Sequence, residues 1–186
     1  MSVTSEPNAA PLNTNQTLAT ELQAQRFLSA MAGTVAQVSV VTTDGAAGRF
    51  GVTVSSFTSV SAAPPLVLVC LNRRSPAVAA VTANGCFAVN LLAAVQTVIA
   101  DCFSGRATAF ESFDFACAEW RLAATGAPCL VKAAASFDCT IENVYDAGSH
   151  RIFIGRVVAL DVSASMPLAV HGRRYHRVHP IYQEQT

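Results

Sequence analysis

"SFDCTIENVYDAGSHRIFIGRVVALDVS", residues 136–163, decides the fold class. Two runs rich in β-branched and aromatic residues, "SFDCTIENVYDAG" and "HRIFIGRVVALDVS", flank a turn predicted at Asp146-Ala147-Gly148. A short turn joins only antiparallel strands, because a parallel pair needs a crossover of about a dozen residues or more. The segment therefore predicts two long antiparallel strands. Outward from it, "CFAVNLL" (86–92), "VAQVSVVTT" (35–43) and "RFGVTVSSF" (49–57) read as further strands, the last two joined by the turn "DGAAG". "PLVLVCLN" (65–72) is a continuous apolar run, expected to be a strand buried on both faces. "MPLAVHGRRYHRV" predicts one final strand after Pro167.

Helices interrupt this pattern. "SPAVAAVTANG" (75–85) is the clearest: Ser75 suits an N-cap, Pro76 the first helical position, and Asn84-Gly85 the stop. "ATELQAQRFLSAMAGT" (19–34) has Leu22, Phe27, Ala30 and Met31 near helical spacing, and "AAVQTVIADCFSG" (93–105) predicts a third helix. Residues 106–136 read as loop-rich. Strands dominate, so the expected class is mainly β: an antiparallel barrel with short flanking α-helices rather than a doubly wound sheet. Residues 1–18 are expected to be a disordered tail and 19–186 a single domain.

Composition bounds the function. Charged residues make up only 13% of the 186, against 52% apolar, too few to cover an isolated surface of this size, which predicts a homodimer. The formal net charge is zero, so no footprint for nucleic acid is visible. No apolar run is long enough to span a membrane, and the N-terminus lacks the basic start and apolar core of a signal peptide. Six cysteines without metal spacing read as reduced thiols of a cytoplasmic protein. GxGxxG, GxxxxGK[ST] and GxSxG motifs are all lacking, which leaves Rossmann-type dinucleotide binding, P-loop and esterase chemistry unsupported.

Three positive signals remain. "NRRSP" (72–76) sets two arginines and a hydroxyl at a helix start, an arrangement suited to phosphate and equally to an ordinary capped helix beside solvated arginines. "GVTVSSFTSVSAAPP" (51–65) collects Thr53, Ser55, Ser56, Thr58, Ser59 and Ser61 with no charged residue. The strand alternation loses phase at Ser55-Ser56, predicting a bulge or strand end. Such a strand suits a flat, polar-edged, uncharged ring, or simply a solvated face. Two histidine-bearing segments, "GSHRIFIG" with His150 and "GRRYHRV" with Arg173, Arg174, Tyr175 and His176, stand near predicted strand ends.

Taken together, "VVTTDGAAGRFGVTVSSFTSVSAAPPLVLVCLNRRS", "FAVNLL", "GAP", "SFDCTI" and "GSHRIFIGRV" resemble the short-chain flavin reductases over about residues 24–180. That resemblance implies an FMN-binding split β-barrel of Greek-key type and a homodimer. It implies hydride transfer from NADH or NADPH to FMN or FAD, with the reduced flavin passing by diffusion to a partner monooxygenase. It assigns Thr53, Val54, Ser55, Ser56, Cys70, Leu71, Asn72, Ser75, Asn90, Phe103, Ser104 and Gly105 to the flavin. It assigns His150, Arg173 and Tyr175 to the nicotinamide nucleotide, and neither a catalytic acid or base nor a metal is needed. Related proteins often carry an arginine in the first helix where this chain has Leu28, with Arg26 two residues earlier. The competing readings are a non-catalytic flavin- or haem-binding split barrel, and a dimeric interaction module without ligand.

Overall fold

The computed structural model describes residues 14–181, and side chains within the first helix from residue 20. Residues 1–13 of the expected tail lie outside the described residues. Residues 14–18 were expected in that tail but belong to helix α1 (Thr14–Ala32). No glycine or proline interrupts this segment, and Gly33 and Thr34 close it by donating to the carbonyls of Ala30 and Met31. At 19 residues α1 is not the short helix expected. It forms one compact unit, ending at Thr34, and the strands form the other. Leu22, Phe27, Leu28 and Met31 on α1 are all exposed.

The second unit opens with β1 (Ala36–Gln37), β2 (Ser39–Thr43), β3 (Phe50–Val54), β4 (Thr58–Ala62) and β5 (Pro65–Asn72). Helix α2 (Pro76–Asn84), β6 (Cys86–Leu91) and α3 (Thr97–Cys102) follow. The remaining strands are β7 (Trp120–Leu122), β8 (Pro128–Leu130), β9 (Ala135–Ala147), β10 (His150–Val162), β11 (Leu168–His171) and β12 (Arg174–Arg177). The long hairpin of β9 and β10 forms as predicted, but its two-residue turn is Gly148-Ser149, with Ala147 already paired to His150. Arg151 pairs with Asp146 directly across it and Arg156 with Glu142 on the diagonal. Two register shifts bend the hairpin, with Glu142 of β9 and Val158 of β10 as the extra residues. Gly155 is needed there, because a Cβ would clash with the Phe87 ring.

Seven strands form one antiparallel sheet in the order β3-β2-β6-β9-β10-β5-β4. Local hairpins are joined by long connections that set β6 beside β2 and β10 beside β5, the expected Greek-key character. The predicted strand around the hydroxyl cluster divides in two: β3 and β4 are consecutive in the chain yet occupy opposite edges of the sheet. A flat sheet of seven strands would be about 29 Å across. The three residues between Val54 and Thr58 span at most about 14 Å. The sheet must therefore curl until β3 meets β5, and these two strands are in contact without a ladder between them. This is a split barrel. Ser56 stitches the seam: its hydroxyl accepts from the Cys70 N–H at 3.0 Å and donates to the Cys70 carbonyl at 2.9 Å.

Inside the barrel, Val41, Val67, Val69, Leu71, Phe87, Val89 and Phe153 pack with Val78 and Val81 of α2. β5 is not buried on both faces as its apolar run suggested. Val67, Val69 and Leu71 are buried, while Leu66, Leu68 and Cys70 are only partly covered. The third predicted helix shrinks to Thr97–Cys102, because Ala93 bridges to Pro167 and Gln96 accepts from its N–H. The single final strand becomes the hairpin β11–β12, which joins β1 in a separate three-stranded sheet. A second core lies against α3, where Val38, Val40, Leu92, Phe103 and Leu168 meet Phe115 and Trp120.

Asn90, expected at the flavin, is instead fully buried between β2, β6, β8 and β9. Its amide donates to the Val40 and Pro128 carbonyls and to Thr42 Oγ1, and accepts from the Leu130 N–H and the Ser136 hydroxyl. Replacing it strands several buried polar groups at once. Asn90→Ala is expected to lower unfolding stability by about 3 kcal/mol in denaturant titration. A loss below about 1 kcal/mol would show that the hub is dispensable.

Candidate functional site

β3, the β5–α2 connection and the C-terminal end of α3 converge on a cleft of about 660 Å³. β3 supplies Phe50, Gly51, Val52 and Thr53; the connection supplies Asn72, Arg74 and Ser75; α3 leads into Phe103 and Ser104; and Phe113 comes from the loop beyond. A volume of this size suits a cofactor-sized molecule. A second hollow of about 230 Å³ adjoins it, sharing Thr53 and Ser104 and adding Val54, Ser55, Arg106 and Tyr175. No carboxylate among the described residues lines either space.

The walls are held by hydrogen bonds from the hydroxyl-rich strand itself. The Thr53 N–H donates to the Phe103 carbonyl at 2.8 Å, and its hydroxyl donates to the Ala100 carbonyl at 2.8 Å. At the other wall, Asn72 Oδ1 accepts from the Arg74 N–H, and Ser75 caps α2 by accepting from the Ala77 N–H at 3.3 Å. The two arginines of "NRRSP" part company here. Arg73 turns to the Gly148 carbonyl of the β9–β10 turn, and Arg74 alone faces the cleft, its guanidinium unpaired among the described residues. The Ser75 hydroxyl proton is also uncommitted. The polar end of the cleft thus offers one cation and one donor at a helix start.

Several expected contacts are brought together: Thr53, Asn72, Ser75, Phe103 and Ser104 line the cleft, and Val54, Ser55 and Tyr175 line the hollow beside it. Others are placed elsewhere. Leu71 points into the barrel core, Ser56 and the backbone of Cys70 are spent on the seam, and Asn90 is the buried hub. Burial pushes the Cys70 thiol up, away from a reactive thiolate. Gly105 follows Ser104 in the left-handed region at φ +74°. His150 lies on β10 directly across from Asn72, exposed, with its Nδ1 2.9 Å from the Ser149 hydroxyl. Arg173 is exposed at the tip of the β11–β12 hairpin, at φ +61°. His150 and Arg173 line neither space.

Tyr175 belongs to a small network that the sequence did not suggest. Its hydroxyl donates to Asp101 Oδ1 at 2.8 Å and accepts from Arg106 Nη2 at 2.8 Å. Burial and the Asp101 carboxylate raise its pKa, so it stays a neutral phenol. Asp101 and Arg106 are five residues apart around the α3 terminus, and only folding brings them to a tyrosine on the last strand. Arg49 also lines the cleft, held by Asp44 at 2.7 Å. Among the described residues, no group of three His, Cys, Asp or Glu could hold a metal ion.

Comparison with known proteins places this geometry. Residues 31–179 match the flavin reductase like domain family. The protein named FMN reductase (NADH) RutF from Agrobacterium fabrum is 41% identical over 163 residues, covering 88% of this chain and 92% of that protein. Its namesake from Ancylobacter novellus is 41% identical over 174 residues, covering 91% and 95%. Among solved structures, the Streptomyces globisporus NADH:FAD oxidoreductase SgcE6, in complex with NAD and FAD fragments, aligns with TM-score 0.77 at 30% identity, over 94% of this chain and 100% of that one. BorF, the flavin reductase component of a bacterial two-component tryptophan halogenase, aligns with TM-score 0.74 at 31% identity, over 83% and 98%. With the split barrel, the carboxylate-free cleft and a family match spanning nearly the whole strand-bearing unit, the chain belongs to the flavin reductase family.

Proposed function

We propose that the chain is an NADH-dependent FMN reductase that supplies reduced flavin to a separate monooxygenase. FAD is the second flavin and NADPH the second nucleotide to be considered. The observation that carries the reading is the cleft itself: apolar and aromatic along β3, neutral hydroxyls at Thr53 and Ser104, and Arg74 with Ser75 at one end. These residues fit a planar, polar-edged ring that ends in a phosphate. A bound flavin would supply the redox chemistry, as the acceptor of hydride from the nicotinamide. The chain's part is to bind and orient. Arg74 and the Ser75 hydroxyl hold the anion, Phe50, Val52 and Phe103 exclude water, and Thr53 keeps β3 in register with α3. The absence of carboxylates from the lining avoids repelling the negative charge that a flavin gains on reduction.

His150, across from Asn72 at the edge of the cleft, and Tyr175, in the adjoining hollow, are the proposed nucleotide contacts. His150 lines neither space within one copy, which suits a site completed by a second copy. A homodimer is supported by the low charge and by apolar side chains open in a single copy, among them Val158, Leu160 and Val162 of β10. A reducing, cytoplasmic location suits the six free cysteines. No helix among the described residues is long and apolar enough to cross a membrane.

NADH oxidation measured with and without added FMN, and again with FAD and NADPH in place of each partner, tests the function. Multiple turnovers of added FMN are expected, and a coloured protein that does not turn over would instead favour the non-catalytic flavin or haem holder. The phosphate end is tested by two variants. Ser75→Asp keeps the N-cap but puts a negative charge against the phosphate. It should raise the FMN Kd about tenfold or more with little change in Tm. Ser75→Ala should weaken FMN by ~1 kcal/mol and also cost ~1 kcal/mol of stability. If both variants titrate FMN as the parent does, Ser75 does not hold the phosphate. For the nucleotide, His150→Ala should raise the KM for NADH and spare FMN affinity, and the reverse pattern would reassign His150 to the flavin.

A further inference from the structure

Phe113 stands in a conformation that costs energy and returns no core packing. It is a bulky residue at φ +67°, in the left-handed region that such side chains avoid. The backbone around it is pinned from several directions. Its N–H donates to the Cys102 carbonyl at 3.0 Å, and the fully buried Cys102 thiol lies 3.4 Å from the carbonyls of both Glu111 and Asp114. Asp114 in turn caps the next turn by accepting from the Ala116 N–H at 2.8 Å. The ring gains little in exchange. Nearby, Phe103, Phe115 and Trp120 pack edge to face with centroids 5.0–5.6 Å apart, and among the described residues Phe113 takes part in no such ring pair. It is 51% exposed and lines the large cleft from the side opposite in sequence to β3.

Gly105 completes the arrangement. A Cβ there would come within 3.3 Å of the Phe113 ring, so the missing side chain leaves the seat on which the ring rests at the cleft. Backbone strain that the surroundings over-determine, next to a binding cavity, marks a side chain held in place for a ligand. An exposed aromatic face on a carboxylate-free cleft suits a flat heteroaromatic ring.

We propose that Phe113 is a stacking residue for the isoalloxazine ring of the bound flavin, held at the cleft by the Cys102-anchored loop and the Gly105 seat. This rests on the flavin reductase reading above. The test compares Phe113→Ala, Phe113→Gly and Phe113→Trp in the full-length protein, by FMN and FAD titration and by thermal melting. Alanine and glycine should each raise the FMN Kd about tenfold, a typical loss for one stacked ring, with the same factor for FAD. Tryptophan should stay close to the parent. The Phe113→Gly variant should melt above Phe113→Ala, because both lose the ring and only glycine enters φ +67° freely. Unchanged FMN affinity in the alanine and glycine variants overturns the assignment, as does a glycine variant that melts below the alanine one. A loss confined to FAD also overturns it, placing adenine on the ring instead. If the parent protein binds no FMN, the flavin reductase reading itself fails; if it does and the variants match it, only the role of Phe113 falls.

Discussion

Three residues, Ser55-Ser56-Phe57, join the two edges of a seven-stranded sheet, and the barrel depends on how little chain they provide. Because β3 and β4 are consecutive yet sit at opposite ends of the strand order, the sheet has no flat alternative. Closure without a ladder between β3 and β5 leaves backbone groups that need partners, since unpaired buried N–H and C=O groups are costly. At Cys70 a side chain meets that need: the Ser56 hydroxyl takes both of its backbone groups, doing the work of a neighbouring strand. A carboxylate or ammonium at this seam would pay the desolvation of a charge where a neutral donor-acceptor suffices.

The same constraint builds the site. Curling brings β3 against the end of α3, where Thr53 bonds twice across the gap, and this fixes the wall that separates the large cleft from the smaller hollow. The hydroxyls of residues 51–65 therefore divide by task. Thr53 and Ser56 hold the barrel shut, Ser61 serves its own turn toward Ala63, and Ser55 opens to the hollow. Their neutrality serves closure. The function then follows from placement more than from reactive side chains: no carboxylate among the described residues lines the cleft, and burial pushes the Cys70 thiol up. What remains is orientation, which is what a hydride transfer asks of a protein.

Local signals are legible in the sequence where local physics decides. The cap Ser75-Pro76 and the stop at Asn84-Gly85 delimit α2, with Gly85 in the left-handed conformation the stop requires. The β9–β10 hairpin follows from strand propensity and a turn, though the turn sits at Gly148-Ser149. Reading failed where partners are remote in sequence. Asn90 reads as a ligand contact, but its five partners come from three other strands, β2, β8 and β9, so its burial is invisible along the chain. The Asp101–Arg106–Tyr175 network and the cleft position of Phe113 carry no periodicity at all.

By itself the amino-acid sequence determined the strand-dominated class, the capped helix that follows the Asn72–Ser75 connection, and the family, because propensity, turns, caps and motif order are written residue by residue. Only the tertiary structure decided which of the polar residues line the cleft. Whether a hydroxyl or amide is spent on the fold or left open depends on which strand edges meet, and three residues of linker made β3 and β5 meet.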